Sequence, residues 1–337
     1  MALGGETLGG KVMVTGGAGY IGSHAVLALL DAGHDVVVID NLVTGFDWAI
    51  DPRAAFVNIA VENPGVRDVI RQHNVRAIMH FAGSVVVPES VENPLKYYRN
   101  NTAATRSLIE SAVAEGVPHF IFSSTAATYG NPTRVPITEA DPQAPINPYG
   151  MSKLMTEAML RDVAAVHPMN YGALRYFNVA GADPQSRSGQ STVGATHLIK
   201  IAVEAATGKR AAVGVFGTDF ATRDGTGVRD YIHVSDLADA HVAALKQLIA
   251  APTESFTFNC GYGRGFSVLE VLDAVDRVTN MTIERRIEGR RAGDPAELVA
   301  DNGAILAALD WQPRRADLDG IVRDALAWER KLAEMGK

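Results

Sequence analysis

Lys11-Val-Met-Val-Thr-Gly-Gly-Ala-Gly-Tyr-Ile-Gly22 is the stretch whose reading decides the fold. Lys11 to Thr15 is a short apolar strand. Ser23 to Leu30 reads as a helix ending near Gly33, and Val36 to Ile39 is a second strand closed by Asp40. Strand, glycines, helix, strand and acid thus follow the order of a βαβ unit whose first turn holds Gly16, Gly19 and Gly22. Glycines there allow a tight turn and let the backbone approach a pyrophosphate. The helix N-terminus behind them presents free N–H groups and the positive end of its dipole. Asp40 stands where a carboxylate accepts hydrogen bonds from an adenosine ribose. Its charge repels a 2′-phosphate, so NAD is expected rather than NADP. The spacing is G-x-x-G-x-x-G, and a lone glycine triad also fits a plain tight turn; the succession of elements around it is what points to a dinucleotide.

The α/β alternation continues downstream. Pro64 to His73 reads as a helix and Ala77 to Phe81 as a strand running into Phe81-Ala82-Gly83. Small residues after such a strand either border a cofactor or form an ordinary loop. Pro94 to Glu115 carries a long helical pattern with Asn100 and Asn101 inside it. Asparagine is a poor helix former, so the pair makes either a buried polar contact or part of a solvated face. Phe120 to Ser123 is a further strand, followed by Ser124 and Thr125. Hydroxyls at the C-terminal end of a parallel strand point into the ligand crevice, and Thr125 is placed to bond a sugar hydroxyl. Ala173 to Phe177 is the next strand, ending in Asn178.

Between the last two strands lies Pro148-Tyr-Gly-Met-Ser-Lys153, the opening of a helix with proline at an early position. Tyr149 and Lys153 are four residues apart and project from one face. A free tyrosine, with pKa near ~10, is a poor base at neutral pH. A neighbouring ammonium lowers that value and lets the pair take a proton from a hydroxyl. Tyr-x-x-x-Lys also arises by chance, and its weight comes from the surrounding chain.

After Gly181 the pattern changes. Gly181 to Thr192 is polar and turn-rich, a boundary or a loop folding over a ligand. Helices are expected near His197–Thr207, Val234–Leu248 and Val268–Val278, strands near Val213–Phe216 and Phe256–Asn259, and a loop from Gly217 to Asp230. Arg229, Arg290 and Arg291 suit a diphosphate, or equally surface ion pairs. The expected fold is α/β, a doubly wound parallel (Rossmann) sheet. The division is 11–180 for the NAD-binding domain, which part of 230–262 also joins, with 181–337 mainly a second, discontinuous domain and 1–10 a flexible leader.

Composition narrows the classes. The chain has 337 residues, 47% of them hydrophobic, a net charge of −7 and pI near 5.7. No basic block marks a nucleic-acid or anionic-membrane partner. No apolar run reaches the ~20 residues of a membrane span. One cysteine, Cys260, excludes an intrachain disulfide, and a cytoplasmic enzyme fits. None of the nine histidines has metal-ligand spacing to a second ligand, so no metal site is expected.

Together these residues resemble the extended short-chain dehydrogenase/reductase superfamily and, within it, the UDP-glucose 4-epimerase family. The stretches that carry the resemblance are Val14 to His24, Asp40-Asn41-Leu42, His80 to Gly83, Tyr97 to Asn101, Tyr149 to Lys153, Leu174 to Asn178 and Asp224 to Val234. The resemblance implies a smaller C-terminal α/β nucleotide-sugar-binding domain, a retained NAD, a UDP-sugar substrate, no net redox and a homodimer in galactose metabolism. Tyr149 would take the proton of the sugar 4-hydroxyl, Lys153 would lower the Tyr149 pKa and hold the nicotinamide ribose, and Thr125 would assist. Tyr20, Ile21, Asn41, Phe81, Ala82, Gly83, Asn100, Ser123 and Tyr176 would join the glycines and Asp40 around NAD. Asn178, His197, Leu198, Val215, Phe216, Arg229, Arg291 and Asp294 would hold the UDP-sugar with Thr125 and Tyr149. Related dehydratases and decarboxylases carry an acid directly after the active Ser/Thr; here Ala126 and Ala127 follow, which favours simple return of the hydride.

The chain also departs from the family pattern. Asn58 stands near the place of an adenine-reading aspartate in Val57-Asn-Ile-Ala-Val61. Val85 replaces a frequent lysine, which removes a cofactor contact. Leu298 stands beside the expected sugar pocket, which leaves UDP-pentoses and UDP-N-acetylhexosamines as alternative substrates. A non-catalytic dinucleotide sensor, which would lack Tyr149 or Lys153, is the rival from another class.

Overall fold

Alternate residues of the first strand belong to two different apolar layers, and the architecture follows from that. In the computed structural model, which describes residues 8–291 and 294–337, Val12 and Val14 pack with Val26, Leu29, Leu237 and Leu245. Met13 packs on the other side with Val66, Ile78, Leu108 and Leu160. A strand covered on both faces by helices has side chains of period two that are all apolar.

The main sheet has seven parallel strands. They are β1 (Lys11–Thr15), β2 (Val36–Asp40), β3 (Ala55–Asn58), β4 (Val75–His80), β5 (His119–Thr125), β6 (Asn170–Tyr176) and a strand at Phe256–Cys260. Their order across the sheet is β3-β2-β1-β4-β5-β6-(Phe256–Cys260). Val14 lies against Val38 on one side and Met79 on the other. Phe122 pairs with Ala173, and Leu174 with Phe258. The order reverses between β1 and β4, which opens a crevice at the C-terminal strand ends. The helices Tyr20–Asp31 and Val234–Ala250 cover one face, and Val66–Gln72, Ala104–Ala114 and Pro148–Ala164 the other.

A smaller second sheet is centred on Val228–His233. It pairs antiparallel with Gly265–Ser267 and parallel with Glu297–Leu298 and Asn178–Ala180. Val213–Phe216 pairs with Arg285–Glu288. Behind these strands Ile199, Val215, Val271, Val275, Ile321 and Val322 form a separate apolar core.

Two sequence expectations need correction, and one helix lies where none is expected. The segment 94–115 is not one regular helix: Tyr98–Ala103 forms a π-helical turn between Pro94–Tyr97 and Ala104–Ala114. Its cause is the buried Asn101, which accepts from Ser84 N (2.7 Å) and donates to the Ser84 carbonyl (2.9 Å) and Ser152 Oγ (3.1 Å). Inserted polar contacts of this kind widen a helix locally. The expected loop to Asp230 gives way at Val228 to the central strand of the second sheet. The additional helix is Leu318–Glu334, whose Leu318, Ile321, Val322 and Leu332 form an apolar stripe. Of the leader expected at 1–10, residues 1–7 lie outside the described residues; Gly9 accepts from Asn74 Nδ2 at 3.1 Å. No described helix is long and apolar enough to cross a membrane.

Candidate active site

Thr15, Asp40, His80, Thr125 and Tyr176 end β1, β2, β4, β5 and β6, so the strand C-termini place them along one edge. At the first of these ends the chain turns sharply. Gly16 has φ +69°, and a Cβ there would lie 2.6 Å from Ala82 N. A Cβ on Gly22 would lie 2.1 Å from the Gly16 carbonyl oxygen. The turn therefore packs backbone on backbone, which only glycine permits. Gly19 is the N-cap of the following helix and supplies no side-chain cap. First-turn N–H groups, Tyr20 and Ile21 among them, are left for an external acceptor such as a phosphate.

Asp40, 8% exposed, accepts from Ala18 N at 3.0 Å and Leu42 N at 2.8 Å. An ionised carboxylate has further lone pairs for the hydroxyl donors of a ribose. These features fit a dinucleotide. Asn41 is exposed beside it, with its Oδ1 turned to Val43 N. The Tyr20 hydroxyl donates to the Gly181 carbonyl at 2.7 Å and so ties the loop to the second half of the chain. Phe81, Ala82 and Gly83 follow β4 directly, and Phe81 N donates to the Thr15 carbonyl at 3.0 Å. Asn100 donates to Ser84 Oγ at 3.0 Å. Val85 is 50% exposed and brings no charge to this rim.

The Pro148–Ala164 helix begins at Asn147, whose side chain accepts from Gly150 N at 2.8 Å, with proline in the first turn. This cap orients the first turn and hence Tyr149. Burial raises the Tyr149 pKa, and a hydrogen bond with the Thr125 hydroxyl draws it down. Lys153 is buried one turn further on. Its ammonium donates to the Ser123 carbonyl at 2.9 Å and stands 4.9 Å from the Phe122 ring. Burial lowers its pKa to about 8 against the upward pull of Glu157. In the chain by itself, the Thr125 hydroxyl is the group that draws the Tyr149 pKa down. Ser123 Oγ in turn bonds the Tyr176 hydroxyl, whose pKa burial raises.

On the other side of the crevice, Asn178, His197 and Leu198 line one cavity with Gln190 and Tyr231. His197 Nδ1 is hydrogen-bonded to Gln190 Nε2 at 2.7 Å. Arg229 donates to the Val228 carbonyl at 2.8 Å and pairs with Asp294. The Arg291 guanidinium stacks on the Phe216 ring at 3.6 Å, a preorganised cation. Arg290 instead pairs with Asp219 at 2.6 Å and stacks on Phe220. Val215 is fully buried in the C-terminal core, so its side chain is not open to a ligand.

Sequence reasoning missed a buried ion pair next to the Tyr149 helix. Arg175 Nη2 lies 2.6 Å from Glu157 Oε2, and its Nη1 donates to the Tyr129 hydroxyl at 2.8 Å. The signal was available: charged residues at positions where a buried strand and a buried helix face demand apolar ones.

Residues 12–261 match the model of the NAD dependent epimerase/dehydratase family. A UDP-glucose 4-epimerase from Azospirillum brasilense is 53% identical over 325 residues, covering 96% of this chain and 93% of that one. The structure of UDP-glucose 4-epimerase from Bifidobacterium longum in complex with NAD+ and UDP superposes with TM-score 0.91 at 37% identity, covering 95% of this chain and 98% of that one. A UDP-Glc/GlcNAc 4-epimerase from Campylobacter jejuni is 46% identical with TM-score 0.84, covering 96% of this chain and 100% of that one.

Proposed function

The chain belongs to the NAD dependent epimerase/dehydratase family, and on that premise we propose that it interconverts UDP-galactose and UDP-glucose through a 4-keto sugar that turns about its diphosphate link. The observation that carries this reading is the meeting of Tyr149, Thr125 and Lys153 at the strand ends beside a glycine turn shaped for a dinucleotide. Bound NAD supplies the capacity to take a hydride from C4 and give it back. Tyr149 takes the 4-hydroxyl proton on its phenol oxygen and returns it once the sugar has turned. Hydride and proton both come back, so no net redox occurs. Thr125, hydrogen-bonded to Tyr149, lowers the cost of the phenolate. Lys153 adds positive charge one turn away and carries N–H donors for the nicotinamide ribose.

Around the cofactor we place Gly16, Gly19, Gly22, Tyr20, Ile21, Asp40, Asn41, the 81–83 turn, Asn100, Ser123 and Tyr176. Asn178, His197, Leu198, Phe216, the Val215 main chain, Arg229, Arg291 and Asp294 take the UDP-sugar. Residues 11–180 with part of 230–262 form the cofactor domain, and the rest of 181–337 mainly the discontinuous sugar-nucleotide domain. The enzyme works in the cytoplasm, in galactose metabolism, as a homodimer. Exposed Val91 (64%) and Leu95 (77%), on short helices packed beside the Tyr149 helix, favour the dimer, since such side chains gain by being covered. A second reading, extending to UDP-N-acetylhexosamines, is favoured by Leu298, which packs on Ala126, Tyr129 and Ile137 just past Thr125 and carries no hydroxyl.

The test is purified protein with UDP-galactose and no added cofactor, following the anomeric proton of UDP-glucose by NMR. The same mixture reached from either sugar supports the reading; conversion of UDP-N-acetylglucosamine in parallel supports the second. No conversion of either, even with NAD added, would sink both.

A further inference from the structure

Glu157 follows Lys153 by one helical turn and Tyr149 by two, so all three share one face. Its Oε1 accepts from Ser124 Oγ and from Arg175 Nε at 2.9 Å. Its Oε2 accepts from Arg175 Nη2 at 2.6 Å and Gln143 Nε2 at 3.2 Å. Lys153 meanwhile grips the carbonyl of Ser123 at 2.9 Å. Two successive helical turns therefore hold two successive residues of β5, and the next residue is Thr125. We propose that Glu157 is a positioning residue for Lys153: its carboxylate ties the helix to the end of β5 and fixes a carboxylate one turn beyond the lysine on the same face.

The proposal rests on Tyr149 and Lys153 being the proton-handling pair. Arg175 is braced independently of the lysine, by the Tyr129 hydroxyl at 2.8 Å and the Tyr129 ring at 5.1 Å. Tyr129 itself donates to Asn259 Oδ1 at 2.7 Å. A buried ion pair gains little over apolar packing in stability alone; what distinguishes this one is where it fixes a negative charge. Among the described residues, the titratable groups that act on Lys153 or feel its charge are Glu157 from its own helix and His80 from β4. His80, bonded to Thr15 and Thr105 at 2.6 and 2.7 Å, is held neutral with a pKa of about 3, first by burial and then by the lysine charge. Glu157 is the group that pulls Lys153 upward, against the burial that takes it to about 8.

The experiment is a pH titration of the Lys153 15Nζ NMR signal in the NAD-saturated full chain, without substrate. The Glu157→Gln variant is expected to lower the midpoint by about one pH unit, tenfold in the ionisation constant, and to lower kcat with KM unchanged. The double variant Glu157→Gln/Arg175→Met removes both charges, so it avoids an unpaired buried guanidinium and serves where the single variant fails to fold; its midpoint is also expected to fall. An unshifted midpoint in either folded variant overturns the proposal. Because no substrate is present, failure of the epimerase reading would leave the titration result standing.

Discussion

Replacing Lys153 by methionine is expected to stabilise the fold at neutral pH while abolishing turnover. Lys153 is 3% exposed, and burial, opposed by Glu157, takes its pKa to about 8 from an ordinary 10.5. That gap, at about 1.36 kcal/mol per pH unit, is ~3 kcal/mol of destabilisation carried by the folded ammonium. Methionine has a similar length and no charge, but it forfeits the hydrogen bond to the Ser123 carbonyl, worth ~1 kcal/mol net. The balance is ~2 kcal/mol in favour of the variant at pH 7. With ~2.1 cal/mol/K of unfolding entropy per residue over 337 residues, that is about 3 °C in Tm. The sign reverses with pH. Between about 8 and 10.5 the unfolded lysine holds a proton that the folded one has lost, so wild-type stability rises across this window. Below about 8 both states are protonated and the whole penalty applies. The variant lacks this slope, and its advantage disappears near pH 10. Urea unfolding of the NAD-free proteins at pH 7 and pH 10 reads both effects. A variant less stable than wild type at pH 7, or a wild type with no rise in stability above pH 8, would refute the account of a buried, desolvated ammonium.

Three further outcomes follow from the site. Tyr149→Phe keeps NAD and UDP-sugar binding, measured by calorimetry, and loses at least 10²-fold in kcat; near-normal turnover would remove Tyr149 as the proton carrier. Gly16→Ala forces a Cβ to 2.6 Å from Ala82 N at φ +69°, costs ~1–3 kcal/mol and strips NAD from the purified protein. NAD retained at full stoichiometry would move the cofactor away from this turn. Arg229→Ala raises KM for the UDP-sugar tenfold or more with kcat preserved, since a diphosphate contact binds ground and transition states alike; a kcat loss at constant KM would contradict that role.

Much of this molecule was legible from local patterns. The βαβ unit, its glycine turn and Asp40 fall within thirty residues of one another, where period and turn chemistry act without help from the rest of the chain. Tyr149 and Lys153 were legible for the same reason: helical spacing alone puts them on one face. Asn101 was legible as a misfit, an asparagine inside a helical pattern, and the structure resolves the two readings in favour of a buried contact.

What tertiary structure decided lies at long range. Phe256–Cys260 joins the main sheet beside β6 although some eighty residues separate them, and no periodicity in either segment specifies that neighbour. Arg175 meets Glu157 because β6 passes under one particular turn of the helix. Arg229 meets Asp294 because Glu297–Leu298 pairs with the Val228–His233 strand. The aim of Lys153 at the Ser123 carbonyl is also a matter of packing. Spacing along a chain determines which side chains share a face; only the register between elements determines which groups that face meets.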